Sequence, residues 1–206
     1  MSDVRIRLHK DILWLILDRP PLNILSIGML DQLTAAMRNA IQHPPRLVVI
    51  TGAGERAFSA GVDIHDHRDG REKEMLRAVY DNCAAFEELR SHNIPTVALV
   101  KGYALGGGCE LAALCDTVIA HEQASFGLPE VTLGVFPPVA AVYFPQLIGY
   151  NTTMRLMLTG ETITASEAMR LGLVHQVLPP HTFLPDAEEL LTMLAAPNMT
   201  NGARSS

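Results

Sequence analysis

The sequence predicts an α/β fold in which short buried strands alternate with helices. Apolar runs of four to six residues recur at 12–17, 47–50, 95–100 and 117–120. They are too short for helices and are bounded by Gly, Pro or charge, as buried strands are. Residues 26–41 and 71–90 instead carry apolar side chains at helical spacing. The strand–helix turns hold the glycines expected where backbone must come close to something else. No sequence repeat or low-complexity segment accompanies these turns. A length of 206 residues makes one domain the default and suffices to bury a core.

Val4-Arg5-Ile6-Arg7-Leu8 alternates apolar and charged side chains, the mark of a half-buried strand. Ile12 to Leu17 forms its more buried partner, and His9-Lys10-Asp11 joins the two as a hairpin. Asp18-Arg19-Pro20-Pro21 breaks the sheet. Ser26 is placed to N-cap a helix reaching about Ile41, which Pro44-Pro45 terminates. After the strand at 47–50, Gly52-Ala53-Gly54-Glu55-Arg56-Ala57 matches a dinucleotide-binding glycine pattern. That pattern must open an amphipathic helix. Here Phe58 to Asp63 follows, which reads as a loop of small residues, so the match is set aside. His65-Asp66-His67-Arg68-Asp69-Gly70 reads as a solvated loop, because consecutive residues rarely close a tetrahedral metal site.

The helix over 71–90 has Met75, Ala78, Val79, Phe86 and Leu89 on its buried face. Further helices are expected from near Pro138, over 152–158, over 164–171 and over 186–194. Thr164 and Glu167 form a capping box, and Gly172 ends that helix. Residues 173–177 read as the last strand and 198–206 as a polar tail.

A formal charge of −6 argues against a nucleic-acid partner, which normally meets a basic face. No apolar run approaches a membrane span, and the first residues lack the apolar region of a signal peptide. Cys83, Cys109 and Cys115 are odd in number and form no Cys-x-x-Cys pair, which suits buried thiols in a reducing compartment. A cytoplasmic location is the expectation.

The chemistry concentrates between residues 101 and 116. A strand leads into Gly106-Gly107-Gly108, and Glu110 to Leu114 suits a helix. The glycines therefore sit at a helix N-terminus, where N–H groups lack internal partners and can approach a ligand oxygen. Glu110 lies in the first helical turn, and Glu130 follows the next strand about twenty residues on. Two such acids on neighbouring turns can hold a water and move two protons. The alternative is structural: Glu130 caps a helix and Glu110 serves a helix dipole. Ser125, His121, His175, Tyr103 and Cys109 lack the surroundings of nucleophiles or catalytic bases and read as structural.

Gly-Tyr-Ala-Leu-Gly-Gly-Gly-Cys-Glu-Leu-Ala at 102–112 and Phe-Gly-Leu-Pro-Glu-Val-Thr-Leu-Gly at 126–134 resemble the enoyl-CoA hydratase/isomerase (crotonase) superfamily. Ala-Phe-Ser-Ala-Gly-Val-Asp-Ile at 57–64 and Asp-Arg-Pro-Pro-Leu-Asn-Ile-Leu at 18–25 match two further hallmark segments, and the resemblance covers about residues 4–180. It implies a superhelix of repeated ββα turns, with a core over 1–180 holding the coenzyme A and acyl site. A shortened C-terminal helix and disordered tail over 181–206 are expected, where the family normally continues with more helices.

The implied activity is addition of water across the C=C of an α,β-unsaturated acyl-CoA in fatty acid or other acyl-CoA metabolism. The resemblance assigns catalysis to Glu110 and Glu130 and the oxyanion hole to the N–H groups of Val62 and Gly107. It assigns contact with substrate or coenzyme A to Arg19, Leu22, Ala60, Asp63, Ile64 and Gly106. It implies no metal and no cofactor beyond the coenzyme A of the substrate. Partners would be an acyl-CoA thioester and further copies of the chain, as a trimer or hexamer, with no nucleic acid and no membrane. The alternatives are an enoyl-CoA isomerase and a catalytically silent acyl-CoA-binding protein. Arg5, Arg7, Arg19 and Arg56 are candidates for a basic patch facing the coenzyme. Pro138-Val139-Ala140-Ala141 replaces a glycine-rich family segment and is expected to reshape the pocket beside Glu130. The Pro-Pro departures resemble the cyclic-dienoyl-CoA hydratases.

Overall fold

The structure, a computed structural model, describes residues 2–63, 66 and 70–196. The chain opens with the expected hairpin: β1 (Val4–His9) pairs antiparallel with β2 (Ile12–Leu17). Lys10 and Asp11 form its two-residue turn, both with positive φ, as right-twisted hairpins require. Ser26 then caps α1 (Ile27–Gln42) by accepting a bond from the Met29 N–H.

From here successive strands divide between two sheets. β3 (Leu47–Gly52), β5 (Thr96–Val100) and β7 (Thr117–His121) run parallel in a six-stranded sheet of order β1-β2-β3-β5-β7-β10. Each is followed by a three-residue strand of a four-stranded sheet: β4 (Ala57–Ser59), β6 (Tyr103–Leu105) and β8 (Ser125–Gly127). The second sheet has the order β4-β6-β8-β9, closed by β9 (Thr162–Thr164) antiparallel to β8. α2 (Glu72–Ser91), α3 (Gly107–Leu114) and a 3-10 turn over Pro129–Leu133 complete three ββα units. The rest comprises α4 (Pro138–Ile148), α5 (Tyr150–Thr159), α6 (Ala165–Leu171), β10 (Gln176–Leu178) and α7 (Phe183–Leu194).

The six-stranded sheet is covered on both faces, which is why β3 and β5 read as continuous apolar runs. Val48, Ile50, Ala98 and Val118 point into the main core with α1 and α2. Leu47, Val49, Val97 and Ile119 meet Phe183, Ala187 and Leu191 of α7 on the other face.

Two expectations need correction, and one strand was not expected. Residues 57–59 are a strand rather than loop, because the edge of β6 offers them a parallel partner. The last strand is Gln176–Leu178, since Leu173 and Val174 are spent filling the core after Gly172 caps α6. The four-stranded sheet also recruits Thr162–Thr164 just before its last residue caps α6, a dual use the short segment did not announce. The glycine pattern at 52–57 opens no helix. A Cβ on Gly52 would lie 2.5 Å from the Phe58 carbonyl oxygen, so this glycine allows the chain to fold back into β4.

α3 is buried along its whole length and packs close against β4. A Cβ on Gly108 would lie 2.3 Å from the Ser59 carbonyl oxygen. Gly108→Ala is therefore expected to lower stability by about 2–3 kcal/mol, the scale of core overpacking. Gly28→Ala, on α1 with only Ser26 Oγ at 4.0 Å, should be neutral or stabilising by up to about 1 kcal/mol. Denaturant midpoints of the two variants check the pair; equal effects would contradict the packing described.

Candidate active site

Four segments converge on a cleft of about 490 Å³ at the edge of the second sheet. Arg19 to Leu22 and Ile24 form one wall, Ala60 to Asp63 a second, Gly106 and Gly107 the floor, and Pro129, Glu130, Leu133 and Val135 the opposite side. The first two walls are zipped together by backbone. The Ala60 N–H donates to the Leu22 carbonyl, the Leu25 N–H to Gly61, and the Asp63 N–H to Leu25. Asn23 pins that zipper from beneath. It is fully buried, and its Nδ2 donates to the carbonyls of Ala53 and Ala57 while its Oδ1 accepts from the Arg19 N–H.

The floor brings two backbone N–H groups together. Gly107 opens α3, and a Cβ there would lie 2.9 Å from Val62 Cγ1 and 3.5 Å from Val62 N. Neither the Val62 nor the Gly107 N–H is paired with an acceptor among the described residues. Gly61, with φ of 107°, turns the chain so that Val62 faces Gly107. Two adjacent N–H donors at the start of a helix can hold an oxygen that gains negative charge.

The two acids sit on either side of this floor. Glu130 faces the cleft from the 3-10 turn and is 9% exposed. Its carboxyl lies over Gly106, where a Cβ would come within 2.6 Å of Oε1, and its Oε2 is buried without a hydrogen-bond partner. Glu110 projects from α3 into a side pocket of about 30 Å³ that shares Val62 and Gly107 with the cleft. Glu110 is 5% exposed, and its Oε1 accepts a 2.7 Å bond from the Ala140 N–H in the first turn of α4. Pro138 opens that turn, and the N–H groups following it in the first turn have no intrahelical acceptor, which leaves the Ala140 N–H for Glu110.

Burial pushes the Glu110 pKa up to about 7, and the neighbouring charge of Glu130 adds to this against the opposing Ala140 and Val139 N–H groups. Burial also raises the pKa of Glu130. Burial therefore favours the protonated form of both acids, and Glu110 exchanges its proton near neutrality.

Arg19, Leu22, Ala60, Val62, Asp63, Gly106, Gly107 and Glu130 thus line one cleft, and Glu110 borders it across Val62 and Gly107. Ile64 lies outside the described residues. Of the four arginines considered for a basic patch, Arg19 alone lines the cleft, held 3.2 Å from Asp63. Arg5 is instead paired with Asp18, and Arg7 and Arg56 do not reach the cleft. The expectation for Pro138-Val139-Ala140-Ala141 is also corrected: this turn abuts Glu110, with Val139 in the side pocket, rather than Glu130. Asn23 and Asn82 were given no role by sequence, and Val79 and Cys83 were read only as buried positions. An Asn two residues after Pro-Pro, the residue type that best tolerates the positive φ found there, was the one available signal. Among the described residues, no group of three His, Cys, Asp or Glu side chains could hold a metal ion.

Comparison with known proteins bears on the family and the fold. The family model for enoyl-CoA hydratase/isomerase matches residues 7–204. A probable mitochondrial enoyl-CoA hydratase of Dictyostelium discoideum is 39% identical, covering 87% of this chain and 65% of that protein. Among solved structures, DspI of Pseudomonas aeruginosa matches with a TM-score of 0.88 at 31% identity, over 96% of this chain and 76% of that one. An enoyl-CoA hydratase from Bacillus anthracis matches with a TM-score of 0.84 at 34% identity, over 94% and 76%. The chain spans about two thirds of the length of the curated relative. Its sequence, its two-sheet architecture and the placing of its two acids on either side of one glycine floor lead to one assignment: the chain belongs to the enoyl-CoA hydratase/isomerase family.

Proposed function

We propose that the chain hydrates an α,β-unsaturated acyl-CoA thioester, with Glu110 and Glu130 as its acid–base pair. The observation that carries this reading is the pairing of two unpartnered N–H donors with two buried carboxyls around one cleft. A thioester oxygen received by the Val62 and Gly107 N–H groups polarises the conjugated C=C. Water then adds at Cβ, forming the C–O bond, while the π electrons move onto the thioester oxygen as an enolate. The N–H pair stabilises that charge; loss of one such donor typically costs about 3–4 kcal/mol. The water gives up one proton to the acid pair, and the pair returns a proton to Cα as the enolate collapses. Arg19 at the cleft wall offers a guanidinium to the anionic coenzyme A arm, with Leu22 and Ala60 as apolar contacts.

With crotonyl-CoA as substrate, the conjugated thioester absorbance should decay in the presence of the protein. Glu110→Gln and Glu130→Gln should each lower kcat by roughly 10²–10⁴. A steady absorbance despite demonstrated binding would overturn hydration. A rise from a 3-enoyl thioester in its place would establish isomerisation.

The raised pKa of Glu110 also has a stability consequence. In the folded chain the carboxyl keeps its proton up to about pH 7, whereas in the unfolded chain it loses it near its ordinary value of 4.5. The native state then binds more protons than the unfolded state between those values, so stability falls as pH rises through that window. The cost above pH 7 is about 3 kcal/mol, at 1.36 kcal/mol per unit. Relative to wild type, Glu110→Gln should be stabilised progressively from pH 4.5 to pH 7, as read by denaturant unfolding at fixed pH. A stability difference that does not change with pH would contradict this.

A further inference from the structure

The links that carry the chain from the large sheet to the small one enclose a second cavity, of about 300 Å³. β3, β5 and β7 are parallel, and their carboxyl ends lead to Glu55, Lys101 and His121, which all line it. Ligands of parallel sheets gather at such carboxyl ends. β4, β6 and β8 are also parallel, and the segments after their carboxyl ends build the cleft already described. The cavity instead meets Tyr103 and Ser125, the first residues of β6 and β8, so it lies at the other end of the small strands. No step of hydration uses it. The links around it are stacked by backbone: the Tyr103 N–H donates to the Arg56 carbonyl at 3.1 Å and the Ser125 N–H to Gly102 at 3.0 Å.

The lining is rich in donors. The Lys101 side chain is only 15% exposed, and its ammonium meets Glu55 Oε1 at 2.6 Å. Glu55 takes one of three ammonium donors and is itself 83% exposed. The cavity thus already receives one carboxylate, from a side chain that gives up only an exposed pair when displaced. His121 Nδ1 accepts the Gln123 N–H at 3.0 Å, so the neutral ring carries its proton on Nε2. An edge contact with Phe183, with ring centroids 5.1 Å apart, steadies that ring. Tyr103, Gln123 and Ser125 add hydroxyl and amide donors, and Glu55 is the only acid in the lining.

We propose that this cavity is a second binding site, separate from the cleft, for a small oxyanion, a phosphate or a carboxylate. The anion replaces Glu55 on Lys101 and receives the His121 Nε2–H. The test is calorimetric titration of the whole chain with inorganic phosphate and with acetate. It is run on wild type, Glu55→Gln, Lys101→Met and Arg19→Gln, each first checked for cooperative unfolding. Glu55→Gln removes the competing carboxylate and should tighten Kd by about two- to fivefold, the worth of an exposed pair. Lys101→Met should weaken it at least about tenfold, as loss of a charge-assisted hydrogen bond does. Arg19→Gln, in the cleft, should leave it unchanged. Tighter binding of phosphate than of acetate assigns a phosphate ligand, and the reverse a carboxylate. Binding that Arg19→Gln abolishes and Lys101→Met spares places the anion in the cleft and overturns the proposal. So does an absence of saturable binding of either anion to Glu55→Gln. Should Lys101→Met fail to fold, amide shifts of wild type during the titration decide: changes at Gly102 and Gln123 uphold the site, and changes confined to Gly106 and Gly107 overturn it. None of these readouts is turnover, so they stand apart from the hydratase reading.

Discussion

The site depends on how closely the first turn of α3 approaches the strand and loop beside it. Three consecutive glycines make three different contacts. Gly108 packs on the Ser59 carbonyl, Gly107 on Val62, and Gly106 under the Glu130 carboxyl. A side chain at any of them would wedge apart groups that chemistry needs within a few ångströms. The two sheets serve the same end. Each ββα unit sends one strand to the large sheet for stability and a second to the small sheet for position, and the turns after β4, β6 and β8 meet at one edge.

The acids show the electrostatic cost of that construction. Glu110 is held by an N–H at the start of α4, an interaction that by itself favours the ionised form. Burial and the nearby Glu130 outweigh it, so the proton is retained to about neutral pH. A fold optimised for stability alone would place an amide or a methyl group there. The burial that makes Glu110 useful is the same burial that makes it expensive.

Much of this was legible in the sequence wherever local physics decides structure. The α1 and α6 caps, the β1–β2 turn and the αL glycines ending α5 and α6 all follow from single residues, and the structure has them. The glycine run and both acids were also readable, because a strand, a Gly-rich turn and a helix start form one continuous signal. What escaped depends on partners distant in sequence. β4 and β9 are three-residue strands that exist only because β6 and β8 offer them edges. The contact of Ala140 with Glu110 spans thirty residues, and no property of residues 138–141 says which acid they meet. Asn82 carried no sign of its place, since an Asn at helical spacing can equally face water.

The three cysteines divide the molecule for any reagent that attacks thiols. Cys109 and Cys115 are fully enclosed, and burial lifts both thiols above their ordinary range, so they react only when the chain opens around α3. Cys83 borders the side pocket and is partly exposed, its thiol pushed up to about 11 by burial. One alkylating reagent therefore keeps two clocks in the native chain. The faster runs at the partly exposed Cys83 on the rim of the side pocket, and the slower one at the other two reports how often the core comes apart.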